Sequence, residues 1–260
     1  MHIDILTLFP EMFAGPLNTS ILGRAREKGL VSIDFINIRD FSQNKHHTVD
    51  DTPYGGGAGM VMAAEPIFEA VERVKSLRSE AGRLIYLSPA GRKLNQQIVR
   101  ELAEEKHIMF LCGHYEGVDQ RVRDALVDDE ISIGDYVLTG GELPAMVLAD
   151  AVVRLIPGVL GETASAEEES FSDGLLEYPH YTRPREYKVM LVPEVLPNGH
   201  HEQIRLWRRR QSLLRTLQSR PDLLAEAELS EEDKYILKEI VVELEKLGLP
   251  ESIEKKRRRK

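Results

Sequence analysis

The chain has 260 residues, 42% of them hydrophobic, enough to bury a full core and to form one medium domain and a smaller one. Its formal net charge of −9 weighs against nucleic acid as a partner unless positive charge is concentrated locally. The single cysteine, Cys112, excludes an intrachain disulfide scaffold, no apolar run is long enough to span a bilayer, and no apolar signal segment follows Met1-His2-Ile3-Asp4, so a cytoplasmic protein without a membrane partner is expected.

Ile3 to Phe9 reads as a buried opening strand ended by Pro10, Ser20 to Lys28 as a short helix closed by Gly29, and Val31 to Ile38 as a second strand. Arg39 to Met60 lacks periodicity and is expected to be a polar loop; its Gly57-Ala-Gly59 is neither a dinucleotide fingerprint nor a P-loop. His46, His47, Asp50 and Asp51 have a metal site's composition, but adjacent histidines point apart and no third imidazole or cysteine stands at ligand spacing. Pro66 opens an amphipathic helix with Ile67, Ala70, Val71, Val74 and Leu77 on one face.

A regular βα alternation follows. The strand Arg83 to Leu87 leads through the turn Ser88 to Gly91 into a helix over Asn95 to Glu104. The strand His107 to Leu111 leads through the turn Cys112 to Gly117 into a helix over Arg121 to Val127. This pattern predicts an α/β fold with a parallel sheet covered by helices on both faces, and ligands of such sheets sit at the carboxyl ends of the strands. Three turns lie at those ends: Tyr86 to Pro89, Cys112 to Gly117, and Ile133 to Gly141. The third is either a tight strand-to-helix loop or a pocket wall made of backbone, since Gly134, Gly140 and Gly141 allow close approach and Pro144 suits a helix's first turn. Asp135 and Glu142 would repel a phosphate there and suit a neutral or cationic ligand. Cys112 ends an apolar strand and reads as a small buried residue rather than a nucleophile.

Pro144 to Ile156 is apolar nearly all round, which predicts burial on more than one side, as at a subunit interface. Asp150 and Arg154 stand four apart on it and could form an intrahelical ion pair. Small, polar and acidic residues then mark an interdomain linker over 161–174. A helix over His200 to Gln218 follows, carrying Trp207, whose packing and base-stacking roles are compatible. Between Arg183 and Arg220 nine basic residues face three acidic ones; they form either a solvated arginine face or a phosphate-binding surface. Ser230-Glu-Glu-Asp233 starts a last helix in capping-box style, and 251–260 is a basic tail expected to be disordered.

Several of these stretches form long motifs in one order: Leu6 to Pro10, Asp50 to Met60, Tyr86 to Pro89, Cys112 to Gly117, Ile131 to Pro144 and Pro179 to Pro184. With them the sequence resembles, over nearly its whole length, the bacterial tRNA (guanine-N1) methyltransferases of the SPOUT class, which methylate the guanine immediately 3′ of the anticodon. The resemblance implies a SPOUT-type parallel sheet with a deep trefoil knot over 1–160 and a small helical tRNA-binding domain over 175–250. It also implies a homodimer with a composite active site. S-adenosylmethionine is the implied cofactor, bound by Tyr86, Leu87, Ser88, Pro89, Gly113, Tyr115, Glu116, Gly117, Ile133, Gly134, Asp135, Tyr136, Val137, Leu138, Gly140, Gly141 and Pro144.

Guanine N1 carries a proton at neutral pH, so methylation there requires a base to remove it as charge moves to O6. By resemblance the base is Glu169, where the family has aspartate, and the accompanying cation is Arg154. RNA contacts are implied for Asp50, His180, Arg183, Arg185, Arg205, Arg208, Arg209 and Arg210. Mg²⁺ is implied by the family without assignable ligands. Two rivals share much of this sequence logic: a SPOUT ribose 2′-O-methyltransferase, and an RNA-binding module that has lost catalysis.

Overall fold

The computed structural model describes residues 1–80, 82–161 and 169–248; the expectations for Glu167, Glu168 and the tail 251–260 lie outside them. The chain divides into two compact units, Met1–Gly161 and Glu162–Lys260.

In the first unit the strands are β1 (His2–Thr7), β2 (Ser32–Asn37), β3 (Asp50–Asp51), β4 (Val61–Met62), β5 (Arg83–Lys93), β6 (His107–Cys112) and β7 (Asp129–Ser132). The helices are α1 (Ser20–Glu27), α2 (Ala64–Leu77), α3 (Gln96–Ala103), α4 (Gln120–Leu126) and α5 (Glu142–Val153). Five strands form one sheet in the order β2-β1-β6-β5-β7, every pair parallel. Alternation along the strands divides the core in two. Ile3, Ile5, Ile85, Ile108 and Phe110 meet α1, α3 and α5, whereas Leu6, Leu84, Tyr86, Met109 and Leu111 meet α2 and α4. Burial on both faces explains why β1, β5 and β6 read as apolar runs. The chain passes from β5 to β6 on one side, then crosses from β6 to β7 on the other side of β5. A reversal of this kind opens a crevice at the carboxyl ends of the strands involved.

Several boundaries differ from the sequence expectation. β5 does not stop at Leu87 but continues to Lys93, its register on β7 shifting between Leu87 and Arg92, so Ser88 to Gly91 is an irregularity within the strand. Gly91 is required there, because a Cβ would lie 2.4 Å from the backbone of Glu130. α5 begins at Glu142 and ends at Val153, with Arg154 as its C-cap, rather than running from Pro144 to Ile156. Within the expected loop, Ile38–Phe41 forms a 3-10 turn and β3 pairs antiparallel with β4.

The second unit contains the hairpin β8 (Glu186–Tyr187) and β9 (Met190–Leu191), then α6 (His201–Ser219), α7 (Pro221–Glu226) and α8 (Glu231–Lys246). Leu175, Leu213, Ile236, Ile240 and Leu244 form its core. Ser230 and Asp233 make the expected reciprocal cap: Asp233 N donates to Ser230 Oγ at 3.1 Å and Ser230 N to Asp233 Oδ2 at 2.9 Å. The hairpin has no counterpart in the sequence expectation; it turns through Lys188 and Val189, both with positive φ.

Candidate active site

A cavity of about 320 Å³ opens at the carboxyl ends of β5, β6 and β7, within the first unit. Three loops wall it: the irregular part of β5, the loop after β6, and the loop from β7 to α5. All the positions expected to bind the cofactor line it except Asp135, whose carboxylate turns to the Lys93 ammonium at 2.5 Å. Its size lies at the lower end of the range for small-molecule sites.

Close backbone approach builds the walls. Gly141 N donates to Gly113 O at 2.9 Å, and His114 and Gly140 form an antiparallel bridge, so the second and third loops pair directly. A Cβ on Gly141 would come within 2.6 Å of Cys112 Cα, and one on Gly113 within 2.9 Å of the Tyr86 ring. These glycines are needed for contact between loops. Tyr86, almost fully buried, has its phenol pKa pushed up by burial, against the opposing pull of Arg123, whose guanidinium stands 5.8 Å from the ring centroid. Glu130 holds Arg123 in a fork at 2.7 and 2.9 Å. Burial also raises the Cys112 thiol well above its usual value, and the charge of Glu142 adds to this, which leaves Cys112 a packed side chain and not a nucleophile.

The polar loop before α2 is stitched to the cavity. Glu116 N donates to Met60 O at 3.0 Å and Met62 N to Gly117 O at 2.9 Å, while a Cβ on Gly59 would strike the Glu116 carboxylate. Asp50 pairs with Met62 across β3 and β4 and lines a separate cavity of about 390 Å³ with Asp51 and Glu65. Among the described residues, no group of three or more His, Cys, Asp or Glu could hold a metal ion, so the implied Mg²⁺ has no fitting site among them. No described helix is long and apolar enough to cross a membrane.

Arg154 is partly exposed at the C-terminus of α5. Glu169, partly exposed in the second unit, accepts the Ser172 N–H at its backbone carbonyl, 3.1 Å away. The arginines of α6 differ from a uniformly solvated face. Arg205 binds Glu202 and Glu232, Arg210 binds Glu243 at 2.5 Å, and Arg209 is clasped by Asp233 and Asp173. Arg208 lies 4.8 Å from the Tyr178 ring centroid. Arg183 and Arg185 are exposed, and no carboxylate among the described residues pairs with them; His180 is exposed and bonded to Glu177 at 2.7 Å. Trp207 is half-buried with Tyr181 6.3 Å away, which agrees with a packing role.

Sequence reasoning missed Arg123 and His114 as cavity residues. His114 lies inside a recognised motif; Arg123 lies in a short helical stretch, and nothing in the local pattern marks it as a cavity residue.

A backbone-walled cavity at the carboxyl edge of a parallel sheet defines a ligand-binding α/β domain of the kind that enzymes use for nucleoside-containing cofactors. The chain belongs to the tRNA (guanine-1)-methyltransferase TrmD family, whose model matches residues 1–226. It is thus a tRNA (guanine-N1) methyltransferase of the SPOUT class, with S-adenosylmethionine the methyl donor that this class implies. Among its relatives, the tRNA (guanine-N(1)-)-methyltransferase of Desulforamulus reducens is 66% identical over 241 residues, covering 92% of this chain and 95% of the relative. That of Pelotomaculum thermopropionicum is 65% identical over 250 residues, covering 96% and 100%. The Staphylococcus epidermidis protein of the same name is 60% identical over 237 residues, covering 91% and 96%.

Proposed function

We propose that the chain methylates N1 of the guanine immediately 3′ of the anticodon, with S-adenosylmethionine held in the three-loop cavity, Glu169 as general base and Arg154 as the cation that stabilises charge developing on O6. The observation that carries this reading is the convergence of sixteen of the seventeen expected cofactor positions on one cavity, Asp135 being the exception. The donor supplies an electrophilic methyl group on a cationic sulfonium. The chain's own part is to bind and bend the donor against main-chain groups, set the Glu116 carboxylate beside a cationic ligand, and take up the N1 proton at the Glu169 carboxylate. Glutamate in place of the family's aspartate keeps the functional group and adds one methylene.

The same reading makes the first unit the knotted catalytic domain and the second the tRNA-gripping domain of a cytoplasmic enzyme. Arg183 and Arg185 are its foremost phosphate contacts, because carboxylates already engage Arg205, Arg209 and Arg210, and Arg208, beside the Tyr178 ring, adds to the same RNA surface. His180 and Asp50 complete the RNA surface, Asp50 beside the target base. A homodimer with a composite site is supported by α5: Leu143 and Val147 are one turn apart and both exposed on a helix that is largely apolar and mostly buried. A single-turnover assay with tritiated S-adenosylmethionine and unmodified tRNA tests the whole. Label on N1 of that guanine is expected; label on a ribose 2′-oxygen would transfer the reading to the ribose methyltransferases, and no transfer would leave an RNA-binding module.

A further inference from the structure

One buried carboxylate is unused by this chemistry. Glu142, 1% exposed, opens α5 beside the cofactor cavity. Thr7, at the end of β1, donates its hydroxyl to Glu142 Oε1 at 2.6 Å, and His114 Nε2 lies 2.7 Å from Oε2. Thr7 Oγ1 in turn accepts the Phe9 N–H at 2.9 Å, and the Phe9 ring meets the His114 imidazole edge-on, with centroids 4.8 Å apart. Gly140 is trapped beneath this contact, since a Cβ there would stand 2.3 Å from the His114 ring and 2.6 Å from Glu142 Oε2. The three residues come from three separate parts of the chain, and each is attached to something different. Thr7 is fixed by the sheet, Glu142 by α5, and His114 belongs to a loop that walls the cavity.

Burying a carboxylate is costly unless strong hydrogen bonds satisfy it. Here both oxygens are engaged, and the network holds the loop after β6 against the start of α5. We propose that Thr7, Glu142 and His114 form a positioning clamp that keeps the two loops at the separation cofactor binding requires. None of the three is assigned contact with the reacting atoms. The clamp acts on affinity for S-adenosylmethionine: without it the loops must be ordered at the moment of binding, and that ordering reduces affinity. This inference rests on the reading of the cavity as the S-adenosylmethionine site.

Calorimetric titration of the full-length protein with S-adenosylmethionine, alongside thermal unfolding and steady-state methylation of tRNA, tests it. Wild type must bind first; no binding would remove the cavity reading itself. His114→Phe keeps a ring against Phe9 but deletes the bond to Glu142, and its affinity is expected to fall roughly ten- to hundredfold, the scale of a lost charge-assisted hydrogen bond. KM for S-adenosylmethionine should rise with it, while kcat at saturation stays within about threefold. His114→Gln, whose amide can reach the position of Nε2, should recover most of the affinity. Thr7→Val probes the far end at nearly constant volume: some loss of Tm is expected from the unsatisfied carboxylate, and weaker S-adenosylmethionine binding by a protein still folded at the titration temperature supports the clamp. Wild-type affinity in both His114→Phe and Thr7→Val, or equal impairment of the Phe and Gln variants, would overturn it.

Discussion

Arg209 on α6 grips Asp233 on α8 through two parallel bonds, Nε to Oδ1 at 2.6 Å and Nη2 to Oδ2 at 2.9 Å. Asp233 is also the reciprocal partner in the cap that starts α8, so one buried carboxylate both begins a helix and binds it to its neighbour. An arginine placed in this way serves the fold of the second unit before it serves RNA.

The acid stability of that unit follows. The bonds from Arg209, joined by those from Ser230 and opposed by burial, hold the Asp233 carboxyl down to about 2 from its ordinary 3.8. A folded-state value below the unfolded one stabilises the protein once the unfolded carboxyl is ionised, and this contribution is lost as pH falls from about 4 toward 2. It amounts to about 2 kcal/mol. Denaturant melts followed by Trp207 fluorescence should show that loss in wild type and little of it in Asp233→Asn. Arg209→Ala, which strands a buried charge, should cost about 3 kcal/mol at neutral pH.

RNA binding should separate from that structural role. Arg183→Ala combined with Arg185→Ala is expected to weaken tRNA binding and to flatten the plot of log affinity against log salt by about 0.7 to 0.9 for each phosphate that is no longer neutralised. Arg210→Ala, whose guanidinium already holds Glu243, should change the slope little. Filter binding between low and moderate salt measures both; equal slopes for wild type and the double variant would return the exposed arginines to a solvated face.

The cavity walls can be probed with single methyl groups. Gly141→Ala would drive a Cβ into the Cys112 backbone at 2.6 Å, where no flexible side chain can give way, and S-adenosylmethionine binding should be lost. Gly15→Ala, with nothing within 4 Å of the added Cβ, is the control and should bind as wild type. Calorimetry on both, with Tm to confirm folding, decides whether the clash lies at the binding site.

How much of this was legible depended on how local the cause was. The parallel sheet showed in the sequence because Leu84 to Leu87 and Ile108 to Leu111 are buried on both faces and therefore read as uninterrupted apolar runs. β7, with the sequence Asp-Glu-Ile-Ser, is implied only by the turn that follows it and has little strand pattern of its own: two of its four residues are acids engaged by Arg83, Arg92 and Arg123, pairings that only the fold creates. The cavity was foreseeable because its glycines and turns lie in compact motifs at strand ends. Glu142 reads in the sequence as a carboxylate near the helix start that would repel a phosphate, without a partner of its own. Its carboxylate turns instead to Thr7, 135 residues away in sequence, and no local pattern announces such a partner. Arg209 reads as surface charge for the same reason, since Asp173 and Asp233 stand far from it along the chain.

The proposed base permits the sharpest separation of chemistry from binding. If Glu169 removes the N1 proton, Glu169→Gln should leave S-adenosylmethionine and tRNA affinity near wild type while lowering the single-turnover methyl-transfer rate by about 10²- to 10⁴-fold, the range for loss of a general base. Glu169→Asp restores the residue found in the family and should keep substantial activity, since the carboxylate survives and only its reach shortens. Glu167→Gln and Glu168→Gln are the controls, because an acidic segment acting through charge alone would respond alike at all three positions. Equal and small losses across them would remove the assignment and direct the search to Asp50, which the same resemblance places beside the target base. A large loss at Glu169 alone, with both affinities intact, would leave proton removal as the step it performs.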